Sequence, residues 1–181
     1  MEREKLLERL ERLLGADHVQ ASATSFEATF SRGGWQNAPL ALLQPQSTEP
    51  IAEIVSLAEE AGVALVPTGA GTKLHTGYPP SSEKPYLLLQ TNHLNRITDY
   101  QPDDLTVTCE AGTPLHIVQE RLAHDSQFLA LDVPLSTQAT LGGIVSSGTT
   151  GFWRASYGSP RDLVIGLQAV IADGKIGRAH V

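Results

Sequence analysis

The stretch that most restricts the fold is residues 67–74, Pro-Thr-Gly-Ala-Gly-Thr-Lys-Leu, which directly follows a short apolar run at 63–66. Gly69 and Gly71 stand two positions apart among small and hydroxylic side chains. Glycine reaches positive φ and carries no Cβ, so such a loop can aim several backbone N–H groups at one anionic group. A phosphate or pyrophosphate is the matching guest. The same residues would also serve as a plain tight connection, and the loop alone leaves that open. The residues on its C-terminal side exclude the two common phosphate scaffolds. A Rossmann fingerprint needs a third glycine three positions on and a helix directly after the glycines. Leu74 occupies that position, and Gly77 with Pro79 blocks a helix. A P-loop needs Gly-Lys followed by Ser or Thr, which is absent.

Around the loop, residues 38–66 read as strand, helix and strand. Residues 38–43 are apolar and Pro45 ends them. Ser47 or Thr48 caps a helix running from Glu49 or Pro50 to about Ala61, with Ile51, Ile54, Val55, Leu57 and Ala58 as its apolar face and Gly62 as its stop. The glycine loop therefore sits at the C-terminal end of a strand, where ligands gather in open α/β sheets. Upstream, leucines at 6, 7, 10, 13 and 14 predict an amphipathic helix over 3–14, stopped by Gly15. Residues 16–38 read as loop, with Trp35 a packing residue. Downstream, strands are predicted at 86–90 and 97–100, then a turn at Pro102, Asp103 and Asp104. Leu105, Val107 and Cys109 alternate with threonines as in a half-buried strand. Thr113 as N-cap and Pro114 at the first position start a helix that turns Leu115, Val118 and Leu122 inward. A strand over 163–171 and an Asp173-Gly174 turn predict a hairpin. Its return begins at Lys175-Ile176, and no hydrophobic strand is expected to complete it before Val181.

Residues 132–151 form a second glycine cluster. Thr140 caps a helix that begins Leu141-Gly142-Gly143. Glycines at such a start cost about 1 kcal/mol each relative to alanine, a cost tolerated where something must approach the backbone closely. Ser146, Ser147, Gly148, Thr149 and Gly151 continue the pattern, and bare N–H groups at the helix start would make a second anion site. A glycine–serine linker is the competing reading, but Leu141, Ile144 and Val145 supply an apolar face that a linker would lack. Arg154 or Arg161 offers a charge for a phosphate, and either is equally a surface residue.

The 181 residues suffice for one domain or two small lobes. A formal charge of −7 argues against a broad nucleic-acid or anionic-membrane surface and leaves room only for a local cationic spot. Cys109, the single cysteine, excludes an internal disulfide and reads as a buried, inert thiol. No apolar run reaches eighteen residues, and the charged N-terminus lacks a signal-like apolar stretch, so no transmembrane segment and a cytoplasmic location are expected. His93, His116 and His124 lack metal-ligand spacing and read as surface histidines, so no metal is expected. No catalytic acid or base stands out.

Several stretches, in this order and spacing, resemble the FAD-binding domain of the vanillyl-alcohol oxidase/p-cresol methylhydroxylase (PCMH-type) superfamily. They are Gln44-Pro45 with its helix, residues 66–74, residues 103–115, residues 140–145, residues 157–166 and Ala172-Asp173-Gly174. Within it the chain is most similar to the N-terminal part of the glycolate oxidase FAD-binding subunit (E-type) and its D-lactate dehydrogenase relatives. The resemblance implies an α+β fold: a two-lobed PCMH-type FAD-binding domain, C-terminally truncated. Residues 1–37 would be an N-terminal helix and loop, 38–100 the first lobe and 101–181 the second, incomplete lobe. It implies cofactor contacts from Pro67, Thr68, Gly69, Ala70, Gly71, Thr72, Lys73 and Leu74 at the pyrophosphate. Pro134, Thr140, Gly142, Gly143, Gly148 and Gly151 would lie along the rest of the cofactor, and Tyr157 with Gly158 at the flavin wall. Many relatives attach the flavin through a histidine in the first loop. Here the loop holds Ala70 and Thr72, with His75 beyond it, which favours non-covalent FAD. The implied activity is a flavin-dependent oxidation of a 2-hydroxy acid such as glycolate or D-lactate, with the fragment alone inactive. The implied partners are other oxidase subunits, an iron–sulfur subunit among them, through which the protein would sit peripherally at a membrane. Two other roles stay open: a non-catalytic FAD-binding subunit serving assembly or electron transfer, and a nicotinamide-dependent reduction in cell-wall precursor synthesis.

Overall fold

The computed structural model describes residues 3–21, 38–78 and 84–180. Trp35 and the rest of 22–37 lie outside the described residues. Helix α1 (Arg3–Leu14) forms where the leucine spacing predicts it, and Gly15 ends it at φ 89°. Its Leu6 and Leu10 are fully buried. After a 3-10 turn, Ala16–His18, comes strand β1 (Val19–Gln20). Strand β2 (Ala41–Leu43), helix α2 (Glu49–Glu60), strand β3 (Ala64–Thr68) and strand β4 (Tyr86–Gln90) come next. The four strands form one sheet in the order β1-β2-β4-β3. Strands β2, β4 and β3 run parallel, while β1 pairs antiparallel with β2.

This sheet is apolar on both faces, as a parallel sheet buried on both sides requires. On one face Ala41, Leu43, Leu87 and Leu89 pack with Leu6 and Leu10 of α1 and Ile54, Leu57 and Ala58 of α2. On the other, Leu42 and Leu88 pack with Val66. Helix α1 therefore shares the core of the first lobe, and the separate N-terminal unit expected over 1–37 is corrected to that extent. Residues 16–21 are corrected too: β1 stands where a loop is expected, because a two-residue edge strand is too short to show periodicity.

The second part begins with a hairpin of strands β5 (Ile97–Gln101) and β6 (Thr106–Cys109). This hairpin spans the division expected at 100/101. Leu105 lies in its turn at φ 56° and is 76% exposed, so it is not the inward strand residue that the alternation suggests. Helix α3 (Leu115–Ala123) buries Leu115, Val118 and Leu122 as expected. Its N-cap is Pro114, whose ψ of 141° is extended. Thr113 instead is wholly buried and donates its hydroxyl to the Arg96 carbonyl at 3.3 Å. Next come α4 (Leu141–Ser147), α5 (Arg154–Tyr157) and α6 (Pro160–Leu163). Short helix α6 replaces the start of the strand expected from 163; Pro160 sits at its first position and the Ser159 N–H donates to the Asp162 carboxylate at 2.7 Å. Leu115, Leu131, Val133, Ala139 and Ile144 make a second core.

Strands β7 (Gly166–Val170) and β8 (Ile176–His180) pair over five positions. The return strand is thus complete, contrary to expectation. A backbone ladder does not require apolar residues along its length. The tip of this hairpin reaches α2: a Cβ on Gly174 would lie 2.7 Å from Ser56 Oγ and 3.1 Å from the Ala52 carbonyl. His93 and His124 are exposed, while His116 is half-buried with its Nδ1 enclosed and without a described partner. That corrects its surface assignment. Cys109 is half-buried, and burial pushes its thiol up to about 11, which keeps it in the unreactive neutral form.

The open end of the β5–β6 hairpin is clamped by one ion pair. Arg96 gives Glu110 a side-chain contact of 2.7 Å from Nη2, and its backbone N–H donates to the same carboxylate at 2.9 Å. The Arg96 hydrogen bonds hold the Glu110 carboxyl below its ordinary range. A depressed carboxyl stabilises the fold above the unfolded pKa, about 4.3, and that contribution disappears as pH falls through the folded value. Because Arg96 is largely exposed, Glu110→Gln is expected to cost only about 1 kcal/mol at pH 7. Denaturant unfolding should show that difference from wild type vanishing as pH drops below about 4.

Candidate functional site

Strand β3 carries the chain to the end of the sheet, with Pro67 and Thr68 still paired to Leu89 and Gln90 of β4. The loop that leaves it forms one wall of an open cleft, lined by Pro67, Thr68, Gly69, Ala70, Gly71, Thr72, Lys73, Leu74, Thr76, Gly77 and Tyr78. The opposite wall comes from Thr140 and from Gly143, Ser146 and Ser147 of α4. Two glycine clusters about 70 residues apart in sequence thus face each other. They touch where Gly69 meets Thr140. A Cβ on Gly69 would run into the Thr140 hydroxyl and lie 3.2 Å from its Cβ and Cγ2. Thr140 is itself buried, so it cannot swing away.

The two walls differ in their backbone chemistry. Gly71 takes φ 72° and turns the loop over. The N–H groups of Gly69, Ala70, Gly71, Thr72 and Lys73 donate to no described residue. Only at the loop's end do internal bonds resume, with Thr76 N–H donating to the Lys73 carbonyl at 3.0 Å. The start of α4 is the reverse. Leu141 N–H donates to the Thr113 carbonyl at 2.9 Å and Gly142 N–H to the Ala111 carbonyl at 2.8 Å. Gly143 N–H points to the Thr140 hydroxyl at 3.4 Å. The second anion site expected from bare N–H groups is therefore corrected: the fold satisfies them internally. What α4 offers the cleft is hydroxyls one helical turn after Gly143.

The remaining sequence-nominated residues do not line this cleft, and most show a packing role. A Cβ on Gly142 would lie 2.8 Å from the Ala111 Cβ. One on Gly151 would meet the Asp132 carboxylate at 2.5 Å. Gly148 ends α4 at φ 60°. Gly158 takes φ 85°, and a Cβ on it would lie 2.9 Å from the Asp162 carboxylate. Tyr157 belongs to an exposed aromatic group, 5.8 Å from Phe128 and 6.2 Å from Trp153 between ring centres. Pro134 is exposed. Sequence reasoning missed Thr76, Gly77 and Tyr78 and gave Ser146 and Ser147 no place. The i, i+3, i+4 spacing from Gly143 would have put both serines on its face.

Among the described residues the lining carries no carboxylate, imidazole or guanidinium, and Lys73 is its one charged side chain. Arg154 and Arg161 act elsewhere. Hydrogen bonds from Ser159 hold the Asp162 carboxyl below its usual range, and the charges of Arg161 and Arg154 add to that effect. Among the described residues no cluster of His, Cys, Asp or Glu could hold a metal, and no helix is long and apolar enough to cross a membrane.

The contact between the walls makes a specific forecast. Gly69→Ala and Thr140→Ala should each destabilise the protein, the first by a steric clash and the second through a lost cap of about 1 kcal/mol. The double variant should cost less than their sum, since removing the threonine side chain makes room for the new methyl. Strict additivity in denaturant unfolding would exclude the contact.

Comparison with known proteins agrees with this geometry. Residues 39–180 match the family described as the FAD binding domain. The glycolate oxidase subunit GlcD of Bacillus subtilis (strain 168) is 31% identical over 144 residues, 80% of this chain and 30% of that protein. The D-2-hydroxyglutarate dehydrogenase of Xanthomonas citri pv. viticola is 30% identical over 142 residues, 78% of this chain and 30% of its own length. The D-2-hydroxyglutarate–pyruvate transhydrogenase DLD3 of Saccharomyces cerevisiae is 28% identical over 135 residues, 75% and 27%. The chain thus spans less than a third of the length of these curated relatives. Among solved structures, alkyldihydroxyacetonephosphate synthase superposes with a TM-score of 0.84 at 20% identity, covering all of this chain and 35% of that one. Substrate-bound p-cresol methylhydroxylase does so with 0.81 at 17%, covering 97% and 35%. Identities that low speak to the fold alone. Because the family model covers residues 39–180, most of the chain, the chain belongs to the FAD binding domain family.

Proposed function

We propose that this chain is the FAD-binding part of a flavin-dependent oxidoreductase that oxidises a small 2-hydroxy acid of the glycolate, D-lactate or D-2-hydroxyglutarate kind. The observation that carries the reading is the row of five backbone N–H groups, Gly69 to Lys73, that donate to no described residue, in a cleft whose described lining holds no carboxylate. Backbone donors without an internal acceptor can serve an anion from outside, and a diphosphate supplies several acceptor oxygens at once. The names of the Bacillus and Xanthomonas relatives support the substrate class.

When bound, FAD supplies the acceptor for a hydride from the hydroxyl-bearing carbon. The chain's own residues hold and enclose it. Residues 67–74 cradle the diphosphate. Thr140 keeps the loop at a fixed distance from α4. Ser147, whose hydroxyl donates to the Gly143 carbonyl at 2.7 Å and pairs with that of Thr149 at 2.6 Å, stiffens the opposite wall. Gly142, Gly151 and Gly158 shape the second lobe by close packing, Gly148 ends α4 at φ 60°, and Pro134 and Tyr157 lie on the lobe's outer surface. The cofactor is held without a covalent bond, because the loop centre offers Ala70 and Thr72 and His75 does not line the cleft. Partner subunits, an iron–sulfur protein among them, and a cytoplasmic place at the periphery of a membrane belong to the same reading, which the word subunit in the Bacillus relative's name supports. A second reading is a non-catalytic FAD-binding subunit, since the described cleft lining holds no carboxylate or imidazole.

The full-length protein should purify with flavin absorption bands that are released on denaturation, and anaerobic addition of glycolate, D-lactate or D-2-hydroxyglutarate should bleach them. A protein without flavin bands even after FAD is added would overturn the cofactor reading. Bound flavin that none of these acids bleaches would favour the non-catalytic subunit.

A further inference from the structure

We infer that Lys73 supplies the positive charge that lets this acidic protein take a diphosphate ligand, so that ligand selection at the cleft is electrostatic and rests on one ammonium group. The inference deepens the cofactor reading above and depends on it for the identity of the ligand.

The chain carries 20 acidic against 13 basic side chains. Its summed field repels an approaching dianion unless a local charge offsets it. Backbone N–H groups contribute only partial charges. Among the fifteen described residues that line the cleft Lys73 alone is charged, and it stands at the end of the row of N–H groups without a described acceptor. Several other cations are engaged among the described residues. Arg9 pairs with Glu60, Arg96 with Glu110, Arg121 with Asp125 and Lys175 with Asp173. Lys73 forms no ion pair or side-chain hydrogen bond with any described residue.

Its backbone, by contrast, is anchored. The Lys73 carbonyl accepts from the Thr76 N–H at 3.0 Å and from the Thr76 hydroxyl at 2.7 Å. The residue is half-buried, so the stem is constrained while the ammonium has no competing partner among the described residues. An ammonium is a compact charge that can serve oxygens of two neighbouring phosphates in turn, without the fixed fork of a guanidinium. Partial burial also shields the interaction from salt less than full burial would, so the charge should leave a salt-dependent signature.

The test is titration of the full-length protein, stripped of bound flavin, with FAD, with inorganic pyrophosphate and with riboflavin, at low and high salt. Wild type, Lys73→Met and Lys73→Arg are compared. Lys73→Met should weaken FAD and pyrophosphate about tenfold or more, as expected for losing one charge-assisted contact, and should flatten the salt dependence. It should leave riboflavin, which has no phosphate, unchanged. Lys73→Arg should recover most of the loss. Unaltered FAD and pyrophosphate binding in Lys73→Met, with the salt dependence of wild type, would overturn the inference while leaving the FAD reading in place. Pyrophosphate binding that depends on Lys73 in a protein that ignores FAD would support the inference and sink the FAD reading. Wild-type protein that binds neither would overturn both. Equal unfolding midpoints for the three proteins confirm that the change reads charge and not folding.

Discussion

The cleft depends on one missing methyl group. Gly69 has no Cβ, and Thr140 fills the space where one would stand. That single fit lets the loop after β3 lie directly against the start of α4, so elements from two different cores share one wall-to-wall boundary. Thr140 is fixed from its other side as well. It caps α4, and its residue bridges to Pro114 at the start of α3. The loop is therefore located by the second core, not merely by the strand it leaves. A side chain at residue 69 would push the free N–H row and the hydroxyls of α4 apart, and the two walls would no longer address one ligand.

The glycines divide into two kinds that look alike in sequence. In the first cluster, glycine opens the backbone: Gly71 at φ 72° inverts the loop and leaves neighbouring N–H groups without internal acceptors. In the second, glycine closes the fold. Gly142 lets α4 settle on Ala111, and the N–H groups of Leu141 and Gly142 are used on the carbonyls of Thr113 and Ala111. A helix start that docks on a turn through its own donors is a joint, not an anion site. The conformational cost of glycine in a helix, about 1 kcal/mol each, is here the cost of close packing.

This distinction marks how far the sequence alone could be read. Elements with strong periodicity were legible to within a residue or two: α1, α2, α3, strands β3 and β4 and the β7–β8 turn. So was the inverted loop after β3, because positive φ and missing side chains leave a direct trace in residue type. Partners of backbone groups leave none. Whether Gly142 N–H is free or bonded is decided by where Ala111 comes to rest, thirty-one residues earlier in the chain. The same holds for β1, which exists because Val19 finds Leu43 across the sheet. Leu105 fails for a related reason: alternation names the face a residue would take in a strand, but the hairpin closes early and leaves it in the turn.

The two lobes meet at more than the cleft. The tip of the β7–β8 hairpin rests on α2, where Gly174 lies against Ser56 and the Ala52 carbonyl. Both junctions are built from glycine against a neighbouring side chain or carbonyl, so neither has slack for a small rearrangement. A pair of well-separated contacts resists rotation in a way that one contact cannot. The first lobe is anchored by a sheet buried on both faces, whereas the β7–β8 ribbon exposes Leu167, Ile171 and Ile176. An isolated two-stranded ribbon is marginal by itself. Its position here is set at the tip by α2 rather than by its own core. The lobe that contributes the cleft's second wall is thus oriented by the first lobe at both ends. A ligand filling the cleft joins lobes whose relative placement the fold has already determined, and it does not need to spend binding energy bringing them together.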